Sequence, residues 1–310
     1  MLSKADNSCG LTVECTPDWN ARQVEASVAL WDPSNESHVA ALRQRHEVMA
    51  RACSLSRSSS GRVPLTNGAW CISTPATRRG YTTGGPVHLT HNQSYNLPTG
   101  YVAADGVVVG TLAALLRGRI PWLTTSHTGR PPSLNDFGAG MGAYGRALRS
   151  LVRPSDDVPF EYRGYDGAGN VEERVASTGP PGSGTLVRFF DLTLPLSLPR
   201  ADWVLSIEVG EHVPPQAEWM FFRNLHAHNC RGVILSWAQP GQGGRGHVNC
   251  HSSAYLQRRF DEIGYDVDAN LTQYLRRHGP PHCGKECKTG PAHSYLRNSL
   301  LALVRRRPLC

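Results

Sequence analysis

The run Asp136-Phe137-Gly138-Ala139-Gly140-Met141-Gly142 constrains this chain more than any other. An acidic residue is followed by three glycines at alternate positions. Ser133 to Phe137, which leads into it, reads as a strand, and Gly142 to Leu148, which leaves it, reads as the start of a helix. Glycines at such a joint let the backbone turn tightly and approach a ligand closely. The spacing is not that of the dinucleotide pattern G-x-G-x-x-G, where two residues separate the last glycines.

The segments that follow extend the same architecture. Val158 to Asp166 reads as a second strand, and Asp166 stands 24 residues after Gly142. Thr185 to Phe190 reads as a third, ending at Asp191-Leu192. Asp202 to Glu208 reads as a fourth and runs on through Glu211, His212 and Pro214. Gly232 to Ala238 reads as a fifth and opens into the loop Gln239 to Gly244. Helical patterns cover Pro215 to His228 and Ser252 to Ile263, the latter stopped by Gly264. Strands alternating with helices predict a mostly parallel sheet covered on both faces. Ligands bind such sheets at the carboxyl ends of the strands, where these acidic residues lie.

Together, D-x-G-x-G-x-G over 136–142, the acidic strand ends and E-x-x-E-H over 208–212 resemble the class I S-adenosylmethionine-dependent methyltransferases. The resemblance covers about residues 101 to 308. It implies an α/β, doubly wound, mostly parallel seven-stranded Rossmann-like sheet, with Leu296 to Arg306 resembling the family's antiparallel last strand. It implies S-adenosylmethionine as cofactor, with the glycine turn of Gly138, Gly140 and Gly142 beneath it. Asp136 is expected near the methionine end, Asp166 at the ribose hydroxyls, and Asp191 and Leu192 at the adenine. Glu208 and Glu211 complete the expected cofactor set. His212 and His247 are candidate bases, since an unperturbed imidazole titrates near ~6.5. Trp237 is a candidate aromatic wall for the acceptor side. Methyl transfer from a sulfonium is an in-line displacement that asks mainly for alignment. A triad or carboxylate pair is therefore not required.

Composition narrows the remaining classes. The chain has 310 residues, 40% hydrophobic and 18% charged, which suits a globular protein. No apolar run approaches the ~18 residues that span a bilayer. The start, Met1 to Asn7, lacks the apolar core of a signal peptide, so a cytoplasmic location is expected; an upstream anchor would place the chain in the secretory pathway instead. The net charge is +7, but Lys and Arg are scattered and the one dense run is Arg305-Arg306-Arg307. With no aromatic–basic interleaving, a small-molecule acceptor is expected ahead of protein or RNA. The nine cysteines suggest free thiols. His282, Cys283, Cys287 and His293 lack a second matching pair, so no metal site is expected. Sequons stand at Asn35, Asn92 and Asn270.

Residues 1–100 are expected to form a partly irregular extension that covers the acceptor site, ahead of a cofactor-binding domain over 101–310. Within the extension, Glu36 to Ala52 has helical periodicity, and Asn67 to Gly100 reads as an ordered loop. Ala103 to Arg117 reads as an amphipathic helix capped by Asp105. Two other classes share these features. A nicotinamide-dependent oxidoreductase needs G-x-G-x-x-G at this turn, which Met141-Gly142-Ala143 does not supply. A non-catalytic cofactor-binding protein keeps the glycines but lacks turnover.

Overall fold

The computed structural model describes residues 30–32, 34–44, 62–64, 70–72, 104–120, 123, 130–151, 160–168, 171–178, 186–242, 247–277, 287–288 and 296–310. Seven strands form its central sheet. They are β1 (Ser133–Phe137), β2 (Glu161–Asp166), β3 (Val187–Phe189), β4 (Ala201–Ile207), β5 (Asn229–Ser236), β6 (Tyr265–Val267) and β7 (Leu301–Arg305). Their spatial order is β3-β2-β1-β4-β5-β7-β6. The first five are parallel, and β7 runs antiparallel to both β5 and β6. The chain order reverses between β1 and β4, which makes the carboxyl ends of those strands the switch point where ligands bind. This is the class I methyltransferase fold that the sequence pattern implied.

The central strand β1 is buried along its whole length although three of its five residues are polar. Each polar side chain has a built partner. Ser133 bonds Asp202 through both its amide and its hydroxyl (2.9 and 3.0 Å), and Asn135 donates to the carbonyls of Pro199 and His228. Tyr162 donates its hydroxyl to Asp136 Oδ2 at 2.5 Å. Paired in this way, polar groups enter a core without the desolvation cost of an orphan.

The helices fall into two groups. Helix α1 (Gly106–Leu116) packs against α2 (Ala143–Leu151) and against α6 (Ala269–Arg277). Between α2 and α6 in the chain lie α3 (Val171–Thr178), α4 (Glu218–Ala227) and α5 (Ser253–Glu262). The rings of Phe222 on α4 and Phe260 on α5 lie 5.1 Å apart. Asp105 caps α1 as expected, its carboxylate accepting from the amides of Val107 and Val108. The expected amphipathic pattern of α1 is corrected, because its neighbours bury it on most sides. Ser252 caps α5 and Gly264, at φ +89°, follows its end. The expected last strand is shorter than read. Leu296–Ser299 forms a helical turn and only Leu301–Arg305 pairs in the sheet.

Trp31 and the helix that follows it lie at the β3 edge. Trp31 bridges to Leu196, exchanging backbone hydrogen bonds with Pro195 and Ser197 at 2.7 Å. A helix beginning at residue 36 follows, described as far as 44. From it Arg43 pairs with Glu172 of α3 at 2.5 Å and lies over the Phe189 ring. The loop reading of Asn67 to Gly100 is corrected at Trp70–Ile72, a strand paired antiparallel with Arg62–Pro64; the rest of that segment, and His282, Cys283 and His293, fall outside the described residues. The free-thiol expectation is corrected at one pair, since Cys230 and Cys310 form a disulfide. Within the basic run, Arg305 bonds Asn229 and Arg306 pairs with Asp261 and Asp266.

Candidate active site

The glycine turn follows β1 directly, and all three of its glycines have positive φ. Packing by protein side chains, rather than only the approach of a ligand, accounts for two of them. A Cβ on Gly138 would lie 2.2 Å from a Val209 methyl, and one on Gly142 would lie 2.8 Å from Leu186. Gly140 instead turns its N–H toward β2 and donates to Asp166 Oδ2 at 2.8 Å. The other oxygen of Asp166 accepts from the Ala168 amide at 2.8 Å. The carboxylate at the end of β2 therefore sits against the glycine turn. Each oxygen has a second lone pair beyond the backbone bond it accepts.

Asp136 lies behind the turn, buried, with Tyr162 as its donor. Burial pushes its carboxyl up to about 7, partly opposed by the Tyr162 hydrogen bond and reinforced by the nearby Asp166. Asp191 ends the segment after β3 and closes a turn, accepting from the amide and hydroxyl of Thr193 at 2.9 and 2.6 Å. The Leu192 carbonyl is held by Asn224 of α4, which also donates to the Leu194 carbonyl and accepts from the Leu196 amide. Next to it, His228 accepts from the Leu198 amide through Nε2 while its Nδ1 faces the Asn224 carbonyl at 2.8 Å. The Asn224–His228 pair thus fixes the 192–198 loop.

On the other side of the switch point, β4 runs into a strained joint. Glu208 has φ 56°, a left-handed backbone that costs a glutamate on the order of 1–2 kcal/mol. Its carboxylate accepts from Ser236 (2.9 Å) and Gln242 (3.0 Å), and its amide donates to Ser236. Glu211 and His212 follow in a short 3-10 turn, Gly210–His212. The rings of His212 and His247 meet edge to face with centroids 5.1 Å apart. His247 Nε2 lies 4.0 Å from Glu211 Oε1. Burial lowers the His247 pKa, and raises that of Glu211 well above the usual carboxylate range, helped by the charge of Glu208. His247, distant in the chain from the E-x-x-E-H motif, thus joins Glu208, Glu211 and His212 at one spot.

Trp237 is not there, which corrects its expected role. It is fully buried, its indole N–H is taken by the Asn249 carbonyl, and its ring packs over Gly210 and beside Phe221 and Phe222. An aromatic wall needs an exposed face, and this ring has none.

A supporting cluster escaped the sequence reading. Glu218 is buried and accepts from Asn249 (2.7 Å) and Tyr255 (2.6 Å), and contacts His251 Nε2 at 2.5 Å. The amides of Val248 and Asn249 both donate to the Glu211 carbonyl. These bonds fasten the segment carrying His247 onto the turn carrying Glu211. Nothing local signals this, because Glu218 reads as an ordinary first-turn helix acid.

No protein-family model and no curated protein matches the chain. Solved structures do resemble it. The magnesium protoporphyrin IX methyltransferase of Synechocystis PCC 6803, crystallised with S-adenosylmethionine, is 18% identical, with 64% of this chain and 77% of that one covered and a TM-score of 0.39. The CurJ carbon methyltransferase is 11% identical, with 64% and 54% covered and a TM-score of 0.42. LepI, in complex with S-adenosylhomocysteine and a substrate analogue, is 14% identical, with 59% and 44% covered and a TM-score of 0.40. At this distance the likeness adds nothing to the strand order described above.

Proposed function

We propose that this chain is an S-adenosylmethionine-dependent methyltransferase acting on an oxygen or nitrogen of a small molecule. One observation carries the reading: the β2 carboxylate of Asp166 lies against the glycine turn at the switch point of a β3-β2-β1-β4-β5-β7-β6 sheet. A ribose diol needs a carboxylate acceptor beside such a turn, and Asp166 fits that need. The glycine turn and Asp166 hold the cofactor, Asp191 and Leu192 border its base, and Asp136 faces its cationic end. When bound, the cofactor supplies an activated methyl group. The chain's own work is to align the acceptor, exclude water and take up the acceptor's proton. That last task belongs to the Glu208, Glu211, His212 and His247 cluster on the β4–β5 side. A small acceptor is favoured because Arg305 and Arg306 of the dense basic run are bonded within the fold, which leaves no polymer track evident among the described residues.

Calorimetry with S-adenosylhomocysteine and with NAD tests the first half. Binding of NAD alone overturns the reading. Transfer of labelled methyl into a small-molecule extract, set against protein and RNA fractions, tests the second half. Donor binding without transfer to any fraction marks a non-catalytic protein.

A further inference from the structure

Glu211 is fully buried, and neither carboxylate oxygen meets a donor at hydrogen-bonding geometry among the described residues. Its own amide and that of Ala238 approach it and offset only part of its burial. A second carboxylate, Glu208, stands beside it, already bonded to Ser236 and Gln242. The two carboxyls lie within hydrogen-bonding reach of each other and can share one proton; with both charged, the pair calls for a positive partner.

His247 sharpens the requirement. Its Nδ1 lies 3.2 Å from the Gln242 carbonyl, which can only accept, so Nδ1 carries the hydrogen of the neutral ring. Nε2 is then an electron-pair donor, and it lies 4.0 Å from Glu211 Oε1, another donor. Two lone-pair atoms at this separation repel unless something positive sits between them. His212 brings a third, so that Glu211, His212 and His247 each offer one ligand atom within 4.8 Å of the others.

We propose that Glu211, His212 and His247 bind a divalent cation, with Glu208 as a flanking carboxylate. Two ligands ~2.1 Å from a common ion are at most ~4.2 Å apart, so the set draws in by roughly half an ångström on binding. One carboxylate and two imidazoles suit a transition-series ion such as Mn²⁺ or Zn²⁺ better than Ca²⁺, which takes six or more oxygens. The cluster is the one assigned above to the acceptor's proton, and a cation there would act by polarising a coordinated group rather than by a free imidazole base. Cation binding itself needs no methyl donor.

The test uses the full chain stripped with chelator and titrated with Mn²⁺. Mn²⁺ is the probe because thiolate sets disfavour it, which separates this cluster from the Cys283 and Cys287 segment. Calorimetry and the paramagnetic resonance of free Mn²⁺ should give one ion per chain. Glu211→Gln and His247→Gln should each weaken it at least tenfold, while Cys287→Ser leaves it unchanged. Glu211→Gln keeps the side chain's shape and should fold; if circular dichroism shows otherwise, His247→Gln supplies the readout. No Mn²⁺ uptake by the parent chain, equal uptake by the two cluster variants, or loss in Cys287→Ser overturns the proposal. S-adenosylhomocysteine is titrated separately. Its failure to bind with Mn²⁺ uptake intact overturns the methyl-donor reading alone, and the reverse overturns this one alone.

Discussion

Asp136 illustrates how one buried side chain ties stability to pH. Its carboxyl titrates at about 7 in the fold, first because burial disfavours the charge, against about 3.9 in an unfolded chain. Between those values the folded state holds a proton that the unfolded state has released. Stability from this group is therefore full below about pH 4, falls as pH rises towards 7, and is flat above. Its span is at most about 4 kcal/mol. Asp136→Asn should flatten the denaturant midpoint between pH 4 and 7 by that share; an unchanged slope means that Asp136 is not the group responsible. The same carboxyl should lose its proton when a cationic methionine end arrives. Calorimetry at pH 7 in buffers of different ionisation enthalpy should then show proton release on S-adenosylmethionine binding, absent in Asp136→Asn. For Asp166, the expected effect of Ala substitution is a loss of about 1.5–3 kcal/mol in cofactor affinity, the range for hydrogen bonds to a charged group. Equal affinity in a folded Asp166→Ala protein would remove this residue from the site.

Between elements, the turn after β1 and the turn after β4 are interlocked. Gly138 has φ +79° and its missing Cβ leaves the space that Val209 fills. Ser206 on β4 also donates its hydroxyl to the Phe137 carbonyl at 3.0 Å. Gly138→Ala should cost about 2–4 kcal/mol, part from left-handed backbone and part from overlap. Adding Val209→Ala should restore only the overlap part, which a double-mutant cycle by urea unfolding reads out. Additive costs would show that the two turns do not touch. A second joint is the Asn224 clamp on the 192–198 loop. Asn224→Ala leaves the Leu196 amide and two carbonyls unpaired and should destabilise by about 3 kcal/mol. It should also weaken S-adenosylhomocysteine binding, since Asp191 and Leu192 lie on that loop. A stability loss with unchanged affinity would confine Asn224 to a structural role.

Across the molecule, the Cys230–Cys310 disulfide fixes the chain end to β5 and closes a separation of 80 residues. Loop-closure entropy places its contribution at about 4 kcal/mol if the bond leaves the native state unstrained. Reduction, or Cys310→Ser, should lower unfolding free energy towards that amount in urea titrations. No change would mean that the bond does not form in the protein. A persistent disulfide belongs to an oxidising compartment and weighs against the cytoplasmic expectation. No helix among the described residues is long and apolar enough to cross a membrane. Trp31 and the helix carrying Arg43 buttress β3 and α3, through Leu196 and Glu172.

The sequence by itself determined the alternation of strands and helices, the glycine turn and the acidic strand ends. These are local signals: hydrophobic period, turn chemistry and a carboxylate where a strand stops. The sheet class followed from them, because alternating elements have few ways to bury their apolar faces. Tertiary structure alone decided what the site residues do to one another. Trp237 read as a wall and proved to be core, because its burial depends on Gly210, Phe221 and Phe222 arriving from other segments. Glu218, which nothing local sets apart from other first-turn helix acids, proved to be the anchor of the His247 segment, for the same reason. The full burial of Glu211 beside two histidines was likewise invisible in the pattern. Solvation and charge pairing are set by neighbours in space, and a linear spacing carries little of that information.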